Sequence, residues 1–300
     1  MQVYLAGMNG IHRIVDSLFI IRGGGMRLSE NLPRGEHDLP SVHSPDINGE
    51  RECNCSLQGS PHGGVGRGYD PIIREHKPFI LESFYYADAD TERLLPYYGD
   101  FLLDSGAFTF MVGSGGKVDF DEYLERYADF IKRNKIQKYF ELDVDTVAGY
   151  DKVKQLRAKL ERLTGTQCIP VWHKVRGIEE YKRHCEEYPY VAIGGYVTKE
   201  IKPTEYAAFP AMINYAHKHQ TKVHCLGFTK LNDLEKYHFD SVDSTAWTTG
   251  NRFGYLYLFN GKTMVKKDTP KGYRINNSRA AALNNYTEWI KYQKWADTHL

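Results

Sequence analysis

Short apolar runs alternate with amphipathic helical patterns along this chain, and that alternation restricts it to a parallel α/β architecture. The strand-like runs are Gln2–Ala6, Phe79–Tyr85, Phe101–Asp104, Lys138–Asp143, Gln167–Trp172, Tyr190–Gly194, Lys222–Leu226 and Phe239–Asp243. Their number, about eight, is what a closed (β/α)8 barrel of the TIM type requires. A chain of 300 residues suffices for one such domain with decorations. Helical spacing covers Asp121–Asn134, with Tyr123, Leu124, Tyr127, Phe130 and Ile131 on one face, and Asp119 is placed to cap it. Further helical patterns run over Asp151–Leu163, Ile178–Tyr188 and Pro203–His219. A doubly wound open sheet is the rival fold. Its dinucleotide-binding version is disfavoured, because no Gly-x-Gly-x-x-Gly turn opens a helix after the first strand.

Two regions depart from the alternation. Residues 22–76 are rich in Gly, Pro, Ser and charge, and form a long N-terminal insertion within a single domain spanning 1–300. Residues 246–300 form a C-terminal extension. There Gly254–Phe259 and Lys262–Lys267 flank Asn260-Gly261, a β-hairpin signal, and a helix carrying Tyr286, Trp289, Ile290 and Trp295 follows.

Bulk chemistry excludes several classes. Net charge is +1, so no global field advertises a polyanion. No apolar run is long enough to span a bilayer, and the first residues lack the charged start of a signal peptide, so a cytoplasmic location and no membrane partner are expected. The five cysteines, Cys53, Cys55, Cys168, Cys185 and Cys225, are odd in number and scattered, which argues against a disulfide framework. His37, His43, Cys53, Cys55 and His62 supply enough nitrogen and sulfur for zinc, but their spacing matches no standard finger. A solvated loop is the stronger reading of that stretch, and no metal or other cofactor is expected.

The strand ends carry the chemistry. They hold Asp104, Asp143 with Asp145, Trp172-His173, Gly194-Gly195, Gly227, and Asp240 with Asp243. Asp240 and Asp243 lie three apart on one strand and so point to opposite faces. If that strand closes a barrel, Asp243 lies on the C-terminal rim, where such barrels keep their reactive groups. Asp240 reads as a brace for its strand, and Asp145 as a loop or cap residue. Glycine at a strand end admits a flat ligand close to the backbone.

Taken in order, these segments resemble a known family. Asp104-Ser105-Gly106-Ala107-Phe108 is similar to the Asp-Ser-Gly-Gly-Phe signature of tRNA-guanine (queuine/archaeosine) transglycosylases. Ile193-Gly194-Gly195-Tyr196-Val197-Thr198-Lys199-Glu200 resembles their Gly-Gly-Leu-x-x-x-Glu segment. Asp240-Ser241-Val242-Asp243-Ser244 resembles the Asp-Met-Phe-Asp-Cys stretch that holds the nucleophile, and Asp143 falls where that family reads the base edge. Cys225-Leu226-Gly227 matches a short glycine-bearing strand end. The family also has a structural zinc site built on Cys-x-Cys-x-x-Cys; here no cysteine follows Cys225, and Trp172 or His173 stands where the family has Gln. These departures resemble the phage-type DNA 7-deazaguanine transglycosylases (DpdA-like), which replace guanine in DNA by a 7-deazaguanine of the preQ0 or preQ1 type.

The resemblance implies roles. Asp243 would be the nucleophile and Asp104 the second acid. Asp143, Gly194, Gly195, Tyr196, Glu200, Trp172 and His173 would bind the base. In this arrangement the glycines donate backbone hydrogen bonds, Trp172 and Tyr196 sandwich the ring, and Glu200 senses an aminomethyl group. Arg252, Lys262, Lys266 and Lys267, with Lys271 and Arg274, would contact DNA phosphates. A duplex substrate implies base flipping. A homodimer is compatible with such a barrel, and a phage-encoded chain would work in the host cytoplasm. The alternatives are the same exchange on tRNA, a glycoside hydrolase using two rim carboxylates, and a non-catalytic nucleic-acid-binding relative.

Overall fold

A computed structural model describes residues 1–7, 70–107, 109, 118–228, 230–268 and 278–300. Its centre is a curled seven-stranded parallel sheet flanked by helices. The strands are β1 (Gln2–Ala6), β2 (Phe79–Ser83), β3 (Asp100–Asp104), β4 (Val171–Trp172), β5 (Tyr190–Ile193), β6 (Lys222–Cys225) and β7 (Ser241–Ser244). Their order is β3-β2-β1-β7-β6-β5-β4, so the last of these strands returns to pair with the first. In that register Gln2 lies opposite Ser241 and Tyr4 opposite Asp243.

The two outer strands are linked by the segment around Tyr139–Phe140. Parallel bridges join Leu103 to Tyr139 and Phe140 to Ile169. Phe140 N–H donates to the Leu103 carbonyl at 3.0 Å, and Ile169 N–H to the Tyr139 carbonyl at 2.8 Å. The expected strand Lys138–Asp143 is thus reduced to a bridged pair, because Tyr127 O–H takes up the Phe140 carbonyl (3.0 Å) and a side chain claims the next strand's ladder site at Val171 N–H.

Around the sheet run α1 (Asp70–His76), α2 (Ala89–Leu94), α3 (Phe120–Arg133), α4 (Asp145–Ala148), α5 (Tyr150–Thr164), α6 (Ile178–Glu187), α7 (Phe209–Lys218), α8 (Leu234–Tyr237), α9 (Ala246–Phe253) and α10 (Ser278–His299). α3 begins where its cap predicts: the Asp119 carboxylate accepts from the N–H groups of Asp121 (2.9 Å) and Glu122 (3.1 Å). The pattern read over Pro203–His219 divides into a 3-10 turn, Pro203–Ala208, and α7. Pro210 lacks an N–H and fits only the first turn of a helix, so it fixes that boundary. Within the irregular stretch 22–76, Asp70–His76 is helical; residues 22–69, including the His43, Cys53, Cys55 and His62 ligand set, lie outside the described residues.

Strand alternation sorts the core. Tyr4, Ala6, Phe79, Leu81, Leu102, Phe140, Ile169, Val171 and Ala192 pack together on the inner face of the sheet. Val3, Leu5, Ile80, Ile193, Val223, Cys225 and Val242, at the alternate strand positions, face the helices. α10 belongs to that outer core through Tyr286, Trp289 and Ile290. Its Gln293 amide donates to the carbonyls of Val3 (2.6 Å) and Phe79 (2.8 Å), while its oxygen accepts from Phe79 N–H (2.8 Å).

The hairpin forms from β8 (Tyr255–Phe259) and β9 (Met264–Asp268), antiparallel, with Phe259 opposite Met264. Its loop is longer than the expected two residues. The Asn260 side chain accepts from the N–H groups of both Lys262 (3.0 Å) and Thr263 (2.8 Å), which shapes a four-residue turn, 260–263. Among the described residues no helix is long and apolar enough to cross a membrane.

Candidate active site

Asp104 ends β3, Asp243 lies next to the end of β7 and Asp143 follows the bridged segment at Phe140; Asp104 is within electrostatic reach of both other aspartates. Asp243 is buried, with 7% of its surface exposed. Its Oδ1 accepts from Gly227 N–H at 2.6 Å and lies 3.2 Å from His224 Nε2. Among the described residues its Oδ2 accepts no hydrogen bond. One oxygen of this carboxylate is therefore tied back to β6 and its loop, and the other is left open.

Asp104 ends β3. Its Oδ2 accepts from Gly106 N–H at 3.0 Å. Gly106 adopts φ +83°, and a Cβ there would stand 2.7 Å from Tyr85 Cβ, so the Asp-Ser-Gly turn needs glycine. Burial and the charge of Asp143 push the Asp104 carboxyl up to about 7, against the Gly106 bond and with a further push from Asp243. A carboxyl in that range both gives and takes a proton near neutrality.

His173 is clamped between two carboxylates. Its Nε2 lies 3.0 Å from Asp143 Oδ2, and its Nδ1 lies 3.2 Å from Glu200 Oε2. Burial alone would lower the imidazole, but the bonds to Asp143 and Glu200 outweigh it and carry it to about 10. Glu200 is correspondingly held below its usual range by His173. The clamp is thus an imidazolium between two carboxylates at neutral pH, and with both ring nitrogens donating it is not posed as a metal ligand.

Several expected roles meet different surroundings. Gly194 N–H donates to the Trp172 carbonyl at 2.8 Å, so it is spent on the sheet ladder and is not free for a base. The flat group that approaches Gly194 is the protein's own imidazole: a Cβ there would stand 2.7 Å from His173 Cε1. Gly195 packs against Glu200. The expected sandwich of Trp172 and Tyr196 does not form. Trp172 follows an inward residue, so its side chain turns outward, donates to the Gly177 carbonyl (2.7 Å) and meets Tyr181 edge-on. There it lines an apolar cavity of about 490 Å³ with Ile201, Phe209 and Met212, away from the three aspartates. Tyr196 instead packs on Phe228 and Tyr206. Glu200 has both oxygens engaged, the second by Val175 N–H at 3.0 Å, and so is not open to an aminomethyl cation.

The expected brace at Asp240 is present, whereas Asp145, expected as a loop or cap residue, opens α4 without a side-chain cap bond and serves instead as an ion-pair partner. Asp240 accepts from Val223 N–H (2.8 Å) and pairs with His217 (2.9 Å), bracing β7 to β6. Asp145 receives Arg176 through two nitrogens, at 2.8 and 2.6 Å. On the hairpin, Lys262 pairs with Glu235 (3.4 Å) and Lys266 with Asp268 (2.8 Å), while Lys267 is exposed. The Arg252 side chain, Lys271 and Arg274 lie outside the described residues.

Three residues at the site went unread in the sequence: His224, Ser241 and Tyr190. His224 Nδ1 lies 2.6 Å from Ser241 Oγ, which also meets Tyr190 O–H. The available signal was parity, since Ser241 lies two before Asp243 and shares its face. No model of a known protein family matches this chain, and no curated protein is significantly similar to it.

Proposed function

We propose that this chain is a base-exchange transglycosylase, replacing guanine in DNA with a 7-deazaguanine through a covalent glycosyl-aspartate on Asp243. In this reading the bridged pair Tyr139–Phe140 is the remaining stave of a closed (β/α)8 barrel, and the three aspartates stand on its C-terminal rim. The observation that carries the proposal is the difference between two carboxyl groups near the C-terminal ends of β3 and β7. Asp243 has one oxygen bound and one open, and Asp104 is poised near neutrality. That is the division of labour a double displacement at a sugar carbon needs.

The steps balance. The Asp243 Oδ2 electron pair forms a bond to C1′ as the C1′–N9 bond breaks. Guanine leaves with that electron pair and takes the Asp104 proton. The incoming 7-deazaguanine returns a proton to Asp104, attacks C1′ and expels the Asp243 carboxylate. Both transition states carry oxocarbenium character, which the facing carboxylates stabilise. Asp143, with Oδ2 held by His173, keeps Oδ1 for the N–H edge of a guanine-type base. The base reaches the rim by leaving its stack, and exposed lysines such as Lys267 meet the phosphates.

Incubating the purified chain with labelled guanine and either duplex DNA or bulk tRNA tests this directly. Label is expected in DNA; label confined to tRNA would keep the chemistry and replace the substrate. Asp243→Asn is expected to cut incorporation by about 10⁴-fold or more, as loss of a covalent nucleophile does, with an unchanged melting curve. Incorporation that survives the substitution sinks the nucleophile assignment.

A further inference from the structure

We propose that Tyr190, Ser241 and His224 form a positioning relay that decides which oxygen of Asp243 reacts. The proposal rests on the reading that Asp243 is the reacting carboxylate. It draws on contacts the exchange chemistry itself does not use.

All four residues lie on the inner face. Tyr190 is on β5, His224 on β6, and Ser241 and Asp243 are two apart on β7. His224 and Ser241 are buried, at 0% and 1% exposure, so no bulk water completes their hydrogen bonds. With Asp243 as the ionised nucleophile and His224 neutral, the direction of every bond is fixed. An ionised carboxylate only accepts, so His224 Nε2 donates to Asp243 Oδ1 across 3.2 Å. A neutral imidazole that donates from Nε2 must accept at Nδ1. Ser241 O–H is therefore the donor across 2.6 Å. The Ser241 oxygen in turn accepts from Tyr190 O–H. Each group donates one hydrogen bond to the next, and the chain ends on Asp243 Oδ1.

The consequence is an asymmetric nucleophile. Oδ1 receives His224 and, at 2.6 Å, the Gly227 amide, whereas Oδ2 accepts no hydrogen bond from the described residues. A carboxylate without this anchorage rotates, and its attack is divided among misdirected orientations. The relay also keeps a single tautomer of His224. Without the Ser241 donor, the ring can carry its proton on Nδ1 and present a lone pair to the carboxylate, which repels it. A purely structural role predicts only lost stability; positioning predicts a change in turnover and a spectroscopic signature.

The test joins two readouts on the full chain. With ¹⁵N-labelled histidine, the nitrogen shifts of His224 are expected to show the Nε2–H tautomer in the wild type and a mixed or reversed one in Ser241→Ala. In guanine exchange, His224→Leu is expected to lower kcat by about 10- to 100-fold, the range seen when an orienting partner of a reacting group is removed. KM for the base stays the same. His224→Gln, whose amide N–H reaches the old Nε2 position, recovers most of that loss. Tyr190→Phe and Ser241→Ala are milder variants that serve if His224→Leu does not fold. An Nδ1–H or doubly protonated His224 in the wild type overturns the relay, as does a Gln variant no better than Leu. The expected tautomers in a chain that exchanges no base on either polymer would support the relay and overturn the proposed function instead.

Discussion

Glu141 and Asp104 are both carboxylates enclosed by protein, and they are driven in opposite directions. Glu141 follows the inward Phe140 and so faces the helices. Its oxygens accept from Arg157 Nε (2.5 Å), Arg176 Nη1 (2.8 Å) and Val171 N–H (2.8 Å). Burial alone would raise it, but the two guanidiniums outweigh burial and hold it at about 2. Asp104 has neighbours of its own sign and reaches about 7. The difference teaches that enclosure does not mark a reactive acid. What marks it is enclosure without a counter-charge. The fold supplies cations on the helix side of the sheet, and among the described residues the leading charges acting on Asp104 are those of two aspartates.

The comparison can be broken by removing the compensated acid. Glu141→Ala leaves Arg157 and Arg176 enclosed with less compensation and is expected to lower stability by about 3–5 kcal/mol in denaturant unfolding. A loss below about 1 kcal/mol would mean the knot is no more than a surface pair. The wild-type contribution has its own pH signature. The folded pKa lies below the unfolded one, so the stabilisation is complete above about pH 4.5 and lost as pH falls through about 2.

Removing the uncompensated acid sharpens the contrast. The folded Asp104 pKa lies above its unfolded value of 3.8, so between that pH and about 7 the folded state binds the extra proton. Stability therefore falls as pH rises through this window and levels off above it. Asp104→Asn removes the penalty. It is expected to be more stable than the wild type by on the order of 2–4 kcal/mol at pH 8, and about equal at pH 4, while base exchange drops. Equal stability of the two proteins at pH 8 would show that Asp104 carries no strain of charge. Asp119, an exposed carboxylate satisfied only by backbone N–H groups, marks the low end of the series. Asp119→Ala is expected to cost about 1 kcal/mol in thermal or denaturant unfolding, with exchange unaltered.

Much of the scaffold was legible because period is local. Gln2–Ala6 is read to the residue, and α3 begins one residue from its expected start, since alternation and a cap are written in adjacent positions. Acids at strand ends were legible, and Asp104 does lie within electrostatic reach of Asp143 and Asp243. Their partners were harder. Trp172 and His173 were both assigned to the base slot, although neighbours on a strand face opposite ways. Glycine at 194 was read as room for a ligand, when the occupant is His173. The Glu141 knot joins positions 16 and 35 residues apart, and no local pattern connects them. Turn length in the hairpin depended on one side chain, Asn260, competing for backbone N–H groups.

Gln293 stitches α10 to Val3 across 290 positions and to Phe79 across 214. β1 also takes β7 as a neighbour, some 239 residues downstream in the pairing of Gln2 with Ser241. The first strand of the sheet in chain order is thus completed by the latest elements. β1 gains its neighbour β7 only once residues 241–244 exist, and the amide that bonds its Val3 carbonyl only once position 293 does. A strand with partners more than 200 residues downstream is expected to fold slowly and to be open to wrong pairings until they arrive, which a refolding time course would show.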